Sequence, residues 1–248
     1  MSEKIAVIGA GSWGTALSVS LSGNGHTVKI WDVDKSHLDE LIENRENKRY
    51  LPDVKLSDRI QISYTVEEAI EDANVVLFSA PAQHFRSALE GALPYLKPEM
   101  VLVNVAKGIE QKSLKRLSEI AFEKIPNARY VVLSGPSHAE EVGRGMPTTL
   151  VSASEELELA EGVAERLPGC RAGCLVVPDR GLNSGPAGLA RLLGLGPVLR
   201  DRCSPLLPRG SRVLQHRKQR VTAGGDAGFE RVVRRCQRSP EGHPRLVQ

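Results

Sequence analysis

Short apolar runs alternate with amphipathic stretches along the first two thirds of the chain. The runs, rich in β-branched residues, cover residues 5–9, 27–31, 75–80, 101–106 and 130–135. Between and after them, helical spacing predicts helices over residues 13–25, 67–72, 83–93, 113–124 and 155–167. Strands that are apolar at nearly every position are buried on both faces, so the alternation predicts an α/β fold with a doubly wound parallel sheet.

Three glycines follow the first predicted strand and open the first predicted helix. In IGAGSWG, Gly9, Gly11 and Gly14 have the Gly-x-Gly-x-x-Gly spacing of a dinucleotide-binding turn, which makes the predicted sheet Rossmann-like. Gly9 permits a tight turn, Gly11 lets the backbone approach a pyrophosphate, and Gly14 lets the helix pack on the sheet. The alternative is a glycine-rich turn without a ligand, which this context of strand, turn and helix disfavours.

Asp32 ends the second predicted strand, where an acidic side chain meets the adenosine ribose hydroxyls of NAD. No arginine adjoins Asp32 in the sequence to receive the 2′-phosphate of NADP. We therefore expect NAD or NADP as the cofactor, with NAD favoured. A polar turn at WDVDK, with Val33 or Lys35 lying along the ribose instead, stays open as an alternative.

Composition changes abruptly near residue 165. Residues 1–165 carry 17 Lys and Arg against 25 Asp and Glu, whereas residues 166–248 carry 16 against 5 and hold all four cysteines. We expect a dinucleotide-binding domain over residues 1–165 and an Arg/Gly/Pro-rich tail over residues 166–248 that is poorly ordered and not a folded domain. A GC-rich gene read out of frame after about Glu165 would produce this change, because the codons of Arg, Gly and Pro are GC-rich.

The tail allows two other interpretations, which its sequence disfavours. Its arginines could bind nucleic acid, but they are scattered among Gly and Pro with one aromatic residue, Phe229. Its cysteines could bind a metal, but Cys170 and Cys174 lack a second paired motif, and His216 and His243 follow no zinc spacing. We expect neither nucleic acid nor metal. With no long apolar run and no signal peptide expected, the first part is predicted to be cytoplasmic, without membrane insertion.

Five segments stand in an order and at spacings typical of one enzyme family. They are IAVIGAGSWGTAL, NRENKRYLPDVKL, APAQHFR, NVAKGIE and LSGPSHAEEVGRGMPTTLV. Over about residues 4–153 the chain thereby resembles bacterial NAD(P)-dependent glycerol-3-phosphate dehydrogenase. The resemblance implies a cytoplasmic enzyme that transfers hydride between sn-glycerol 3-phosphate and dihydroxyacetone phosphate, at the head of glycerophospholipid synthesis. A homodimer stays open as its assembly state.

The resemblance also assigns roles to single residues. Besides the three glycines and Asp32, it implies cofactor contacts by Ser12, Trp13, Val33, Lys107 and Ala139. It implies substrate contacts by Lys107, Gly135 and Ser137. Lys107 is the implied catalytic residue, since an ammonium beside the nicotinamide can hydrogen-bond the substrate oxygen and stabilise negative charge. A solvated loop lysine is the alternative.

Two residues of SGPSHAEE have further expected roles. Ser137 fits the N-cap of the helix that HAEEV begins, a role that it can share with a substrate contact. His138 stands where the family commonly has an aromatic ring, so we expect the imidazole to replace that packing rather than to act as a base. Gln83 and His84 are expected to lie on the loop surface.

Motifs of the second half of the family are missing from residues 154–248. One, of the form ELGGALKN, supplies the lysine expected to act as general acid/base, and a later Arg-Asn pair holds the substrate phosphate. The chain also stops before the family's usual end, so we expect the helical C-terminal domain to be missing or replaced by the tail. Turnover is expected to be severely impaired, since acid/base catalysis contributes about 10²- to 10⁴-fold. A catalytically inert NAD-binding remnant is the alternative function, and a related β-hydroxyacid dehydrogenase is a third.

Overall fold

The computed structural model describes residues 2–135, 137–146, 148 and 150–166, together with the backbone of residues 175–178. Its strands are β1 (Lys4–Ile8), β2 (Thr27–Trp31), β3 (Glu46–Asn47), β4 (Leu51–Lys55), β5 (Ile60–Ile62), β6 (Val75–Phe78), β7 (Val101–Asn104), β8 (Arg129–Ser134), β9 (Val151–Ser154) and β10 (Leu175–Pro178). Its α-helices are α1 (Ser12–Gly23), α2 (Lys35–Asn44), α3 (Val66–Ile70), α4 (Phe85–Ala92), α5 (Leu117–Lys124), α6 (Ala139–Gly143) and α7 (Leu157–Arg166). Two 3₁₀ turns, Ala82–His84 and Leu93–Tyr95, flank α4.

Eight of these strands form one sheet in the order β10-β9-β8-β7-β6-β1-β2-β5. Neighbouring strands pair in parallel, except that β9 runs antiparallel to β8. Ile8 of β1 lies opposite both Trp31 of β2 and Phe78 of β6, so these three strands end at one level. β3 and β4 form a separate antiparallel pair. The predicted doubly wound, Rossmann-like fold is confirmed, with an antiparallel step at β9 that the sequence analysis did not predict.

Both faces of the sheet are buried. In β1, Ile5 and Val7 belong to one core, and Ala6 and Ile8 belong to the other. Helices α1, α2, α6 and α7 cover the first core, and α3, α4 and α5 cover the second. Because successive strand residues point to opposite faces, a strand between two helical layers has to be apolar at every position.

The five predicted strands are confirmed, each to within two residues at either end. The helix predicted over residues 113–124 begins only at Leu117. The preceding residues form a turn instead, in which the Leu114 amide donates to the Glu110 carbonyl at 2.8 Å and Leu114 has a φ of +56°. The carboxylate of Glu119 accepts a hydrogen bond from the Arg116 amide at 2.7 Å and so caps the helix at its observed start.

Several elements were not predicted: α2, the β3–β4 pair, β5 and β9. In α2, only His37, Leu38 and Leu41 are buried, and the helix is fixed at its start by Asp34, whose side chain accepts from two backbone amides. β9 alternates Val and Ala with two serines. Ser154 of β9 donates a 2.7 Å hydrogen bond to a backbone carbonyl of β8, so this polar strand is buried by pairing rather than by hydrophobicity.

The predicted tail, residues 166–248, lies outside the described residues apart from Arg166 and the backbone of β10. β10 pairs in parallel with β9, and the domain boundary at residue 165 stays a prediction. All four cysteines also lie outside the described residues. Within the described ranges, no three His, Cys, Asp or Glu side chains come together in a way that could hold a metal ion. No helix of these ranges has the length and apolar character needed to cross a membrane.

Candidate functional site

A cleft of about 1040 Å³ opens at the carboxyl ends of β1, β2, β6, β7 and β8. It lies where the strand order reverses, since β2 and β6 pair with opposite edges of β1. Ligands of open α/β sheets bind at such switch points. Of the predicted site residues, the cleft is lined by Gly9, Gly11, Ser12, Trp13, Asp32, Val33, Lys107, Ser137 and Ala139. Gly14 and Gly135 are buried beside it and do not line it.

The three glycines of the first loop have different surroundings. Gly9 has a φ of +113°, and a Cβ built on it would lie 3.0 Å from the Ala80 amide nitrogen. A Cβ on Gly14 would lie 2.0 Å from the Gly9 carbonyl oxygen, which no relaxation of a side chain could relieve. A Cβ on Gly11 would meet nothing within 4 Å and would project into open space. Gly9 and Gly14 are therefore required by the fold, whereas Gly11 keeps room for a ligand.

Hydrogen bonds from three elements hold the peptide groups of Ala10, the residue between the first two glycines. Its amide donates to Asp32 Oδ2 at 2.7 Å. Its carbonyl accepts from His37 Nε2 at 3.1 Å and from Asn47 Nδ2 at 2.8 Å. The Asn47 amide also donates to Thr15 Oγ1 at 2.7 Å, and Asn47 is fully buried. The glycine loop is thus fixed before any ligand binds.

Helix α1 begins at the edge of the cleft with Ser12. Its N-cap, Gly11, has no side chain, and within the described part of the chain no other side chain caps this helix. The first turn holds no acidic residue. The free amides and the positive end of the helix dipole therefore face the cleft, an arrangement that suits a pyrophosphate.

Several residues that line the cleft carry a polar atom that is buried and has no hydrogen-bond partner among the described residues. These atoms are Trp13 Nε1, His37 Nδ1, Ser79 Oγ and Ser137 Oγ. An unpaired buried polar group destabilises a fold by about 1–3 kcal/mol. Four such residues surround one cleft, whose open space at Gly11 and uncapped helix start suit a pyrophosphate, and so the residues present fit a dinucleotide.

The β2 end of the cleft is acidic. Asp32 accepts from the Ala10 amide through Oδ2 and from the Asp34 amide at 3.1 Å through Oδ1. Each carboxylate oxygen has a second lone pair, so Asp32 can still accept from a ribose hydroxyl. Val33 is 82% exposed along this edge. The ribose contacts predicted for Asp32 and Val33 fit this geometry and stay predictions.

Lys107 lies exposed at the opposite end of the cleft, three residues after β7. The residues that follow it are held by hydrogen bonds to the 3₁₀ turn that precedes α4. Gln83 donates to the Ile109 carbonyl at 2.9 Å and accepts from the Gln111 amide at 2.9 Å. Gln83 is exposed as expected, but its amide is used to hold the Lys107 segment. His84, expected on the loop surface, is exposed and lines the cleft.

A bidentate ion pair forms the second part of this brace. Arg86 donates to both carboxylate oxygens of Glu110, at 2.8 and 2.9 Å. The hydrogen bond from Arg86, followed by the one from the Ser113 hydroxyl, lowers the pKa of Glu110 to about 2. The same carboxylate raises the pKa of Arg86. The chain after Lys107 is therefore anchored by a charged pair as well as by Gln83.

Two expectations for SGPSHAEE are wrong. Ser137 does not cap α6: the N-cap is His138, and the Ser137 hydroxyl is buried without a described partner. His138 does not replace a packed ring, because it is exposed and lines the cleft. The cause is the phase of α6, which buries Ala139 and Val142 against the core and so turns His138 outward.

Several residues that form this site were not predicted from the sequence. They are Asn47 and His37, which hold Ala10, and Tyr50, Trp31 and Ser79, which line the cleft. Asn47 and Tyr50 belong to the segment NRENKRYLPDVKL, whose resemblance was the available signal. Their contacts are long-range, so residue spacing alone could not have found them.

Comparison with known proteins identifies relatives of the region that forms the cleft. The profile of the family described as NAD-dependent glycerol-3-phosphate dehydrogenase N-terminus matches residues 4–160. The chain is 50% identical over 152 residues to a glycerol-3-phosphate dehydrogenase, NAD(P)+, of Carboxydothermus hydrogenoformans, covering 60% of this chain and 45% of that protein. It is 48% identical over 168 residues to the protein of that name from Pelotomaculum thermopropionicum, covering 66% and 48%. The chain thus spans about half the length of the curated relatives it matches.

Solved structures show the same likeness. A crystal structure of glycerol-3-phosphate dehydrogenase from Coxiella burnetii matches with a TM-score of 0.67 and 28% identity, over 73% of this chain and 55% of that one. An imine reductase variant from Myxococcus stipitatus in complex with NAD+ matches with a TM-score of 0.56 over 82% of this chain and 64% of that one. At 18% identity, this second likeness concerns the fold alone.

Proposed function

This chain belongs to the NAD-dependent glycerol-3-phosphate dehydrogenase family through its N-terminal region, and we propose that its cleft binds a nicotinamide dinucleotide. One observation carries the proposal. The open space at Gly11, the uncapped start of α1, and the lining residues Trp13 and Ser137, whose polar atoms lack a described partner, all lie at one cleft at the switch point of the sheet. No single one of these features would indicate a dinucleotide, but together they provide an anion site and polar groups for the rest of the ligand.

The residues at the two ends of the cleft suggest how the ligand is oriented. Ser12 and Trp13, at the start of α1, would hold the pyrophosphate. Asp32 and Val33 would lie along the adenosine ribose. Since this end carries two carboxylates, Asp32 and Asp34, and no Lys or Arg among the described residues that line it, NAD is the preferred cofactor.

We propose further that the cleft serves the interconversion of sn-glycerol 3-phosphate and dihydroxyacetone phosphate. The nicotinamide supplies or accepts the hydride when the cofactor is bound. Lys107, the one Lys or Arg among the described residues that line the cleft, would hydrogen-bond the reacting oxygen and stabilise its negative charge. The Ser137 hydroxyl and the backbone near Gly135 would hold the substrate.

Turnover needs a general acid as well as orientation. The resemblance places that acid on a lysine of a motif that residues 154–248 do not contain. We therefore propose impaired turnover by this chain but intact dinucleotide binding, because the proposed cofactor-binding residues all lie within residues 9–139. The second candidate function, a dinucleotide-binding module without catalysis, is favoured by this difference between the two halves of the chain.

The test combines binding and turnover in one titration. Both tryptophans of the chain, Trp13 and Trp31, line the cleft, so their fluorescence reports dinucleotide binding. NADH is added first, then dihydroxyacetone phosphate, while NADH oxidation is followed. Oxidation supports the dehydrogenase, binding without oxidation supports the binding module, and no saturable NADH binding contradicts both.

A matched pair of lysine variants tests the role of Lys107. Lys107→Met removes the ammonium from the cleft, and Lys112→Met removes an exposed ammonium that does not line the cleft. The first variant should abolish the effect of dihydroxyacetone phosphate on NADH fluorescence or oxidation, and the second should leave it unchanged. Equal behaviour of the two variants would remove Lys107 from the proposal.

We also propose a cytoplasmic location and a homodimer, both of which rest on the resemblance to the bacterial enzymes. Sedimentation equilibrium tests the assembly state, because a dimer has twice the mass of the 27.0 kDa chain. A single species of monomer mass at all concentrations would contradict the dimer.

A further inference from the structure

Arg49, near the adenosine end of the cleft, is held by acidic residues of α2 and its N-cap. Its Nε donates to Glu40 at 2.7 Å, its Nη1 donates to Asp34 Oδ2 at 2.9 Å, and its Nη2 donates to the Ser36 hydroxyl at 3.2 Å. Asp34 lines the cleft, and Arg49 does not. The guanidinium is thus hydrogen-bonded to a residue that lines the cleft, but does not line the cleft itself.

We propose that Asp34 and Glu40 withhold Arg49 from the cleft, and that this restraint makes the chain select NAD over NADP. The proposal rests on the proposed dinucleotide binding and adds the residues that set cofactor choice. A 2′-phosphate at this end of the cleft would meet the carboxylate of Asp34 instead of a free cation. Like charges in one site repel each other, and an arginine whose donors are already occupied offers little compensation.

The position of Arg49 makes it a latent phosphate ligand rather than an ordinary surface residue. Tyr50, the next residue, lines the cleft and packs its ring edge against His37 with centroids 5.1 Å apart. The backbone of Arg49 is therefore fixed beside the cleft wall. Its side chain is 35% exposed and pairs with Asp34 at 2.9 Å.

Asp34 has a second role that the experiment must preserve. Its Oδ1 accepts from the Ser36 and His37 amides and so caps α2. Hydrogen bonds from Ser36, then from the His37 amide, and a smaller one from Arg49 lower its pKa. Asn is as good an N-cap as Asp, so Asp34→Asn removes the charge and keeps the cap.

The test measures the dissociation constants of NADH and NADPH by tryptophan fluorescence on the full chain, at low ionic strength. The variants are Asp34→Asn, Arg49→Gln, the double variant and Lys48→Met, which removes an exposed lysine next to Arg49 that does not line the cleft. The wild-type chain should bind NADH at least about tenfold more tightly than NADPH. Asp34→Asn should reduce the preference for NADH by about tenfold, mainly because NADPH binds more tightly. A change of about tenfold is what one charge-assisted hydrogen bond contributes.

The other variants identify the group responsible. Arg49→Gln alone should leave the ratio unchanged, since Arg49 is already withheld, and the double variant should lose the gain in NADPH binding. Lys48→Met should bind both cofactors as the wild type does. Glu40→Gln weakens the hold on Arg49 without altering the N-cap of α2 or the lining of the cleft. It should narrow the preference for NADH over NADPH, as Asp34→Asn does. This variant replaces Asp34→Asn in the test if Asp34→Asn does not fold.

Several results would overturn the proposal. One is an unchanged ratio in both Asp34→Asn and Glu40→Gln. A second is a gain that persists in the double variant, which would assign selectivity to repulsion by Asp34 alone. A third is a loss of NADPH binding in Arg49→Gln, which would mean that Arg49 already binds the phosphate. In all three results NADH binding is intact, whereas no NADH binding by the wild-type chain would refute the proposed function itself.

Discussion

Replacing Gly14 with alanine tests whether the glycine loop is fixed by close packing. The added Cβ would lie 2.0 Å from the Gly9 carbonyl oxygen, 3.0 Å from Ser79 Oγ and 3.1 Å from Ser79 Cβ. The first contact is with backbone, and the Gly9 amide is itself held by a 2.8 Å hydrogen bond to the Trp31 carbonyl. The start of α1 therefore has to move away from the loop by about 1.5 Å, the difference between this contact and an ordinary van der Waals separation of about 3.5 Å.

The expected magnitude follows from two opposing effects. Overpacking of this kind destabilises a fold by about 1–3 kcal/mol, and a backbone contact this short belongs at the upper end. Alanine in place of glycine inside a helix stabilises by about 1 kcal/mol. The net prediction for Gly14→Ala is a loss of about 2 kcal/mol in the free energy of unfolding. NADH binding should also weaken, because the displaced helix start carries the amides that would bind pyrophosphate.

Gly23→Ala provides the matched control on the same helix. A Cβ there meets nothing within 4 Å, so this variant should gain up to about 1 kcal/mol of stability and bind NADH as the wild type does. Urea unfolding followed by tryptophan fluorescence and circular dichroism gives both free energies. If Gly14→Ala is as stable as Gly23→Ala and binds NADH equally well, the close packing of loop and helix is refuted.

Three further variants test the surroundings of the cleft. Asn47→Ala leaves the buried Ala10 carbonyl and the Thr15 hydroxyl with one donor fewer each. The free energy of unfolding should fall by about 2 kcal/mol, and NADH should bind more weakly. Unchanged NADH affinity would mean that the glycine loop keeps its shape without Asn47. The pKa of Glu110 is about 2 in the folded chain against an ordinary 4.5, so its contribution to stability is complete above about pH 5 and is lost as the pH falls toward 2. In Glu110→Gln, the free energy of unfolding should therefore decline less steeply over that interval. An equally steep decline in the variant and the wild type would contradict the ion pair with Arg86. Ser137→Ala removes a hydroxyl that has no partner among the described residues, so the melting temperature should be unchanged or higher. Dihydroxyacetone phosphate should lose its effect on NADH fluorescence. A marked fall in melting temperature would show that the hydroxyl stabilises the fold instead.

The sequence predicts this fold well where local pattern and tertiary burial agree. The strands β1, β6, β7 and β8 are apolar at nearly every position because helices cover both sheet faces, and the glycine spacing marks the start of α1. β9 could not be predicted, because pairing with β8 stabilises it rather than an apolar pattern. α2 was missed although Leu38 and Leu41 stand at helical spacing and are buried in the first core, because its polar residues outnumber them.

The site shows the same division. Gly11, Asp32 and Lys107 lie within three residues of a strand end. Their place in the cleft was predictable because parallel strands bring their carboxyl ends to one edge of the sheet. The hydrogen bond from Asn47 to the Ala10 carbonyl was not predictable, because the two residues are 37 positions apart and only the fold brings them together. The position of His138 likewise depends on the burial of Ala139 and Val142, which a five-residue helix does not reveal in sequence.

Titration of NADH into the wild-type chain and into Gly11→Val tests whether the cleft binds a dinucleotide. Gly11 has an extended backbone, and a Cβ added there meets open space, so valine should change stability by about 1 kcal/mol or less while filling the path of the pyrophosphate. Tryptophan fluorescence should be quenched saturably in the wild type and not at all in the folded variant. Equal NADH binding by both proteins, or no binding by the wild type, would contradict dinucleotide binding in the cleft.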